Sequence, residues 1–240
     1  MTRFAAIADV HGNRWALEAV LEDIARRGIG QVVNAGDHLF GPLDPEGTAD
    51  LLMRLDLPSV AGNQDRELKD GSPAGHAELT AGHREWLRSQ PMRLELPGGI
   101  LLFHGTPERD NVYLLEAVHS GGTVSLATVG EIETRLGNVP QSLLLCGHTH
   151  IPRVVEAGGK LIVNPGSVGL QAYADDLPEP HVMETGSPGA RYAILERCDA
   201  GWRVEHLAIG YDYESAARAA GRNRRADWAW RLRTGRAVAG

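Results

Sequence analysis

Seven residues of metal-ligating type fall in five short polar clusters: Asp9 and His11 in Asp9-Val10-His11-Gly12-Asn13, Asp37 after Gly36, Asn63 in Gly62-Asn63-Gln64-Asp65, His104 before Gly105, and His148 and His150 in Gly147-His148-Thr149-His150. Each cluster closes a run of apolar residues. In an extended segment residues i and i+2 point to one side, so Asp9 with His11, and His148 with His150, are expected to present paired ligands. Carboxylate, imidazole and one neutral amide oxygen make a mixed oxygen and nitrogen set, which suits Mn, Fe, Zn, Ni or Co better than Ca or a thiolate-selected metal. Seven such groups exceed the needs of one ion. Two divalent ions need a shared carboxylate to offset their repulsion, and two-metal sites, about 3.5 to 4 Å across, generate a hydroxide nucleophile near neutral pH and clamp both sides of an in-line displacement at phosphorus. Phosphoester hydrolysis is the reaction class that follows.

For the five clusters to meet, the chain must bring the ends of several strands to one rim, and in open α/β sheets ligands bind outside the carboxyl ends of strands. The pattern of short apolar runs alternating with segments of helical period is that of βαβ units. It predicts strands at Phe4–Val10, Gln31–Ala35, Leu57–Ala61, Arg93–Leu96, Ile100–Phe103 and Ser142–Cys146, a hairpin from Arg153–Glu156 and Leu161–Val163, and strands at Arg191–Glu196 and Trp202–Ile209. Helices are expected at Trp15–Ala25, Thr48–Leu55, Glu78–Leu87, Ser125–Leu136 and about Glu214–Arg233. Gln171–Gly189 is the longest stretch without a period and contains Pro178, Pro180 and Pro188, so it is expected to be a loop and a candidate lid presenting Tyr173, Asp175, Asp176 and His181.

Composition narrows the class further. With 240 residues, 42% hydrophobic and 23% charged, the chain reads as globular, and no apolar run approaches the roughly 18 residues of a membrane span. Two cysteines, Cys146 and Cys198, cannot make a disulfide scaffold, which together with the absent span gives an expected cytoplasmic setting with no membrane partner. A net charge of -7 argues against nucleic acid as the partner, although the last thirty residues reverse the sign, with seven arginines against Asp212, Glu214 and Asp227.

The series D-x-H, G-D, G-N-x-D, H-G, G-H-T-H, with Asn164-Pro165-Gly166-Ser167 downstream, resembles the calcineurin-like metallophosphoesterase superfamily over roughly residues 3 to 170, and its small prokaryotic phosphodiesterase subgroup in particular. The resemblance implies an α/β fold, a four-layer α/β/β/α sandwich forming one domain over 1–240, and a metal-bridging hydroxide acting on small, nucleotide-type phosphodiesters. It also implies a ligand set: Asp9, His11 and His150 for a first divalent ion, Asn63, His104 and His148 for a second, and Asp37 between them, with manganese the first candidate. The superfamily pattern G-N-H-[DE] places a histidine where this chain has Gln64. An amide can donate a hydrogen bond but cannot release a proton near pH 7, so substrates with easily expelled leaving groups should suffer least. The subgroup of small prokaryotic phosphodiesterases that the chain resembles has the same departure, and that resemblance shifts the reading toward diesters. Asp65 is retained and would orient a residue at position 64.

Asn63, Gln64 and Asp65 are thus the candidate catalytic positions. Asn13 and His38 are candidate substrate contacts, His38 as a replacement proton donor; the alternatives are helix N-capping for Asn13 and a place behind the ligands or at the surface for His38. Cys146 is expected in the core, and His76, His83, His119 and His206 have no ligand-like spacing. A phosphomonoesterase, a nuclease using Arg218 to Arg236 with Trp228 and Trp230, and a non-catalytic scaffold remain alternatives. For the tryptophans the competing expectation is a terminal helix that buries both.

Overall fold

The computed structural model describes residues 1–69 and 79–237. Its elements run β1 (Arg3–Ile7), α1 (Arg14–Arg26), β2 (Val32–Asn34), α2 (Pro45–Leu55), α3 (Asn63–Lys69), α4 (Ala81–Ser89), β3 (Arg93–Leu96), β4 (Ile100–Phe103), β5 (Glu116–Val118) and β6 (Val124–Leu126). They continue with α5 (Val129–Leu136), β7 (Leu143–Leu145), β8 (Arg153–Ala157), β9 (Lys160–Asn164), β10 (Ala172–Asp175), β11 (His181–Glu184), β12 (Ala190–Cys198), β13 (Gly201–Ile209), α6 (Tyr213–Arg222) and α7 (Ala226–Thr234). Two sheets carry the fold, one in the order β13-β12-β1-β2 and the other in the order β3-β4-β7-β9-β8.

Side chains alternate across a strand, so each sheet buries two faces. Phe4, Ala6 and Val33 of the first sheet meet Leu102, Leu145 and Val163 of the second in the inner core. On the outer face of the first sheet, Ala5, Ile7 and Tyr192 pack on Leu17, Val20 and Ile24 of α1 and Leu52 of α2. On the outer face of the second, Phe103, Leu144 and Ile162 pack on Ile132 and Leu136 of α5, and Cys146 is buried there as expected. The result is the expected α/β/β/α sandwich. Within it β1 and β2 run parallel, as do β4, β7 and β9, so their carboxyl ends lie along one edge.

Four local expectations are corrected. The aperiodic Gln171–Gly189 stretch is organised by an antiparallel hairpin, β10 with β11, in which His181 and Met183 are buried and the intervening residues are half-buried. The single C-terminal helix is two helices, broken where Asn223 caps α6 and Arg224 takes φ 59°. The Ser125–Leu136 helix starts later, because Thr128 and Glu131 form a capping box and Val124–Leu126 pairs with β5 instead. Leu57–Ala61 contributes only an isolated parallel bridge between Ser59 and Asn34. His76 and the expected helix start at Glu78 lie outside the described residues. No described helix is long and apolar enough to cross a membrane.

Candidate metal centre

The strands stop before the ligand residues begin. β1 ends at Ile7, β2 at Asn34, β4 at Phe103 and β7 at Leu145. Beyond them Asp9, His11, Asp37, His148 and His150 all have positive φ, between 52° and 71°. The expected pairing of i and i+2 ligands in extended backbone is therefore corrected: these side chains are presented from left-handed turns. Asp, Asn and His tolerate that region better than other residues, and such conformations persist only where surrounding contacts hold them. Gly62 is part of the hold, since a Cβ there would lie 2.1 Å from Asp37 Oδ1.

The five side chains turn inward to one buried locus. Asp9 Oδ1 lies 3.4 Å from His150 Nε2 and 3.9 Å from His104 Nε2. Asp37 Oδ2 lies 3.4 Å from His104 Nε2 and 3.9 Å from His11 Nε2. Asp9, His11 and His150 form one compact donor group, and Asp9, Asp37 and His104 a second. Asp9 belongs to both groups and Asp37 to the second, with Asp37 3.9 Å from His11 of the first, whereas the resemblance gives the shared position to Asp37. The His148 ring stands 5.1 Å from that of His104, and Asn63 lines the same cavity.

Three imidazoles have their Nδ1 side fixed by a backbone carbonyl. The Nδ1–H of His11 donates to Phe40 O at 3.0 Å, that of His104 to Ala35 O at 2.7 Å and that of His150 to Leu170 O at 2.5 Å. A carbonyl only accepts, so each ring presents Nε2 to the centre, the arrangement of metal-bound histidine with a backbone partner behind it. His11 Nε2 and His150 Nε2 face each other at 3.1 Å, and two neutral lone pairs that close require a cation or a proton between them. Asp9 Oδ2, Asn63 Oδ1 and His104 Nε2 are buried without a hydrogen-bond partner. Such groups are costly to bury unless something satisfies them, and this donor set fits divalent transition metals.

Electrostatics gather charge at the same locus: against burial, Asp37 and Asp9 push His104 up to about 10. Burial acts to raise the Asp9 carboxyl, but His150, His104 and His11 outweigh it and hold it at about 2. Asp37 is held at about 2 against the same burial by His104 and His11. His148 is pushed down to about 4 by burial and by His104, which keeps its ring neutral and available as a donor.

Other candidate residues brace this centre. Asp65 is fully buried and accepts from the amides of Asp37, His38 and Gly62, each at 2.9 Å, and pairs with His38 Nδ1 at 2.7 Å. It thereby ties the Asp37 turn to the start of α3, and its carboxylate is not free to orient residue 64. His38 is fully buried and lines neither cavity at the centre. Asn13 caps α1 through Ala16 N and spends its amide on Gly169 O and Tyr211 Oη, so the capping alternative accounts for its side chain. Asn164-Pro165-Gly166-Ser167 staples two ligand loops together: Asn164 Nδ2 donates to Gly147 O at 2.7 Å and Ser167 Oγ to Asp9 O at 2.8 Å. His83 belongs to the capping box of α4, while His119 bonds Ser125 Oγ and His206 bonds Asn164 O.

Two cavities meet over the centre. One, of about 340 Å³, includes His11, Asp37, Tyr173, Arg225, Trp228 and Arg231 in its wall; the other, of about 630 Å³, includes Arg66, Tyr113, Glu116 and Arg135; Asn63, Gln64, His148 and Asp175 line both. Of the proposed lid residues, Tyr173 donates to His148 O at 3.1 Å and Asp175 accepts from Tyr113 Oη at 3.3 Å. Arg225, Trp228 and Arg231 were not separable by sequence from the rest of the arginine-rich tail. Only Trp228 is buried, its ring edge-on to His11 at 6.0 Å, while Trp230 is half exposed, so the expected burial of both is corrected.

Residues 2–185 match the family model of the calcineurin-like phosphoesterase superfamily domain. An uncharacterized protein of Methanocaldococcus jannaschii, MJ0912, is 26% identical over 248 residues, covering 93% of this chain and 94% of that protein. The crystal structure of a metallophosphoesterase from Sphaerobacter thermophilus shares 25% identity with a TM-score of 0.72, covering 96% of this chain and 98% of that one. A hypothetical protein, PH1004, from Pyrococcus horikoshii has the same fold at 17% identity and a TM-score of 0.71, covering 99% and 100%. With its two sheets, the candidate ligands at its strand ends and this match across most of its length, the chain belongs to the calcineurin-like phosphoesterase superfamily.

Proposed function

We propose that this protein hydrolyses small phosphodiesters at a centre of two divalent transition-metal ions, held by Asp9, His11, Asp37, Asn63, His104, His148 and His150. The observation that carries the reading is the set of three imidazoles locked with Nε2 toward two ionised carboxylates. When bound, the ions supply a nucleophile near neutral pH and positive charge for the phosphoryl oxygens. The chain's own residues do the rest. Asn63 and Gln64 stand where the two cavities join, and a diester carries two organic arms on one phosphorus, which a site open on both sides accommodates. Gln64 offers its amide N–H to an ester oxygen and withholds a proton, a pattern suited to leaving groups that depart as anions.

The test compares bis(p-nitrophenyl) phosphate with p-nitrophenyl phosphate on protein loaded in turn with Mn, Fe, Zn, Ni or Co. The expected result is metal-dependent turnover favouring the diester by at least about tenfold in kcat/KM, with Mn first. A preference for the monoester would replace this reading with that of a phosphomonoesterase.

A further inference from the structure

The match to the family model ends at residue 185, yet α6 and α7 are formed by later residues, and α7 with its cap Arg225 reaches the cavity at the candidate metal centre. They are held there by an apolar cluster in which Trp228, Ala229 and Leu232 pack with Ala216, Ala220, Leu43 and Leu170, and by Asn223 Nδ2 donating to Pro42 O at 2.8 Å. The fit against the ligand loop is close: a Cβ on Gly41 would lie 2.9 Å from the Trp228 ring. This docking brings two arginines into the wall of the smaller cavity, which Asp37, His11 and His150 also line.

The two guanidiniums share a single carboxylate among the described residues. Arg225 makes a two-pronged pair with Asp227, at 2.9 and 2.7 Å. Arg231 reaches only the same carboxylate, at 3.4 Å, so two cations share one anion. The side chain of Arg231 is 15% exposed while that of Asp227 is 41% exposed, so the cation lies deeper than its anion. Burial, reinforced by Arg225, weighs against the charged form of Arg231 and lowers its pKa despite Asp227. Arginine is the side chain suited to phosphate, because its planar fork gives paired charge-assisted hydrogen bonds.

The Arg225 guanidinium lies 5.6 Å from the Trp228 ring centroid and that ring 6.0 Å from the His11 imidazole, so a cation and a candidate metal ligand adjoin the same indole. Two ions at the centre would serve the phosphoryl group being cleaved, which leaves the charge of the arginines to a second anion.

Resting on the phosphodiester reading above, we propose that Arg225 and Arg231 form a subsite for a second phosphate group, so that the preferred substrate is a phosphodiester whose sugar carries a further phosphomonoester. The reaction at the metal centre is unchanged, and the arginines set which diester is bound.

The probes are the p-nitrophenyl ester of thymidine 5′-phosphate and the same ester bearing a 3′-phosphate, assayed with metal-loaded protein, together with calorimetric binding of thymidine 3′,5′-bisphosphate and thymidine 5′-phosphate. In the wild type the added phosphate should lower KM and tighten binding by about tenfold or more, with kcat little changed. Arg231→Gln and Arg225→Gln should each remove most of that gain while the plain ester stays within about twofold, which also shows that the variants fold; Arg231→Lys should restore part of it. Equal changes on both esters, or no preference in the wild type, overturn the subsite and leave the phosphodiesterase intact. Hydrolysis of neither ester by the wild type with any of the metals, while a monoester is cleaved, overturns the phosphodiester reading and this inference with it.

Discussion

At the residue scale, chemistry is concentrated in side chains that the backbone presents from an unfavourable conformation. Asp9, His11, Asp37, His148 and His150 all take left-handed backbone, and three of the ring nitrogens are pinned by main-chain carbonyls. Asn tolerates left-handed φ as Asp does, so Asp37→Asn removes charge with little added backbone strain. Because that charge adjoins both donor groups, Asp37→Asn should lower kcat/KM by about 10³-fold, and Asn63→Ala by only about 10- to 100-fold. Equal losses, measured at saturating metal, would deny Asp37 a shared role. The second expectation concerns Gln64, which lines both cavities with its Oε1 buried and unpartnered. With no proton to give, the wild type should show a steep dependence of rate on leaving-group pKa across a series of diesters. Gln64→His should flatten it, but by less than the roughly 10² to 10⁴ of a positioned general acid, because Asp65 is already committed to His38 and cannot hold the new ring. A shallow slope in the wild type would mean another group already protonates the leaving oxygen.

At the scale of elements, the fold consists of strands that stop short and polar groups that tie the loops beyond them. Asp65 shows how much rests on one carboxylate. It joins the Asp37 turn to α3 through three main-chain amides and the His38 ring, all buried. Removing one partner of a buried pair typically costs about 3 to 5 kcal/mol, so Asp65→Ala should lower Tm by about 10 °C in a chain of this size. Glu18→Ala, which breaks only an exposed i,i+4 pair with Arg14, should leave Tm nearly unchanged. Thermal denaturation of the metal-free proteins checks both, and a Tm for Asp65→Ala within about 2 °C of the wild type would contradict its bracing role. Elements were unevenly legible in the sequence. The βαβ alternation is plain where apolar runs are continuous, as in Ile100–Phe103, whose four residues are all buried. It fails where two helices share one composition: α6 and α7 are both rich in Ala and Arg, and the break rests on Asn223 and Arg224 alone. It fails again in β5 and β6, three residues each, too short for a period to declare itself.

At the scale of the whole molecule, two sheets place the carboxyl ends of their parallel strands along one edge, and α7 sets Trp228 and Arg231 in a cavity wall there. The candidate ligands were legible because Asp, Asn and His stand beside glycine at the end of apolar runs, a local signal that needs no knowledge of packing. Their geometry was not, because left-handed turns are set by contacts distant in sequence, such as Ser167 with Asp9 and Asn164 with Gly147. Arg225 and Arg231 were invisible for the same reason: nothing in their own segment says which face of α7 meets the centre. Whether these residues form one site for two ions is read by elemental analysis of protein stripped of metal, reconstituted with Mn²⁺ and freed of excess by gel filtration. Two ions per chain are predicted for the wild type and one or fewer for Asp37→Asn; one or fewer in the wild type would contradict the two-metal centre.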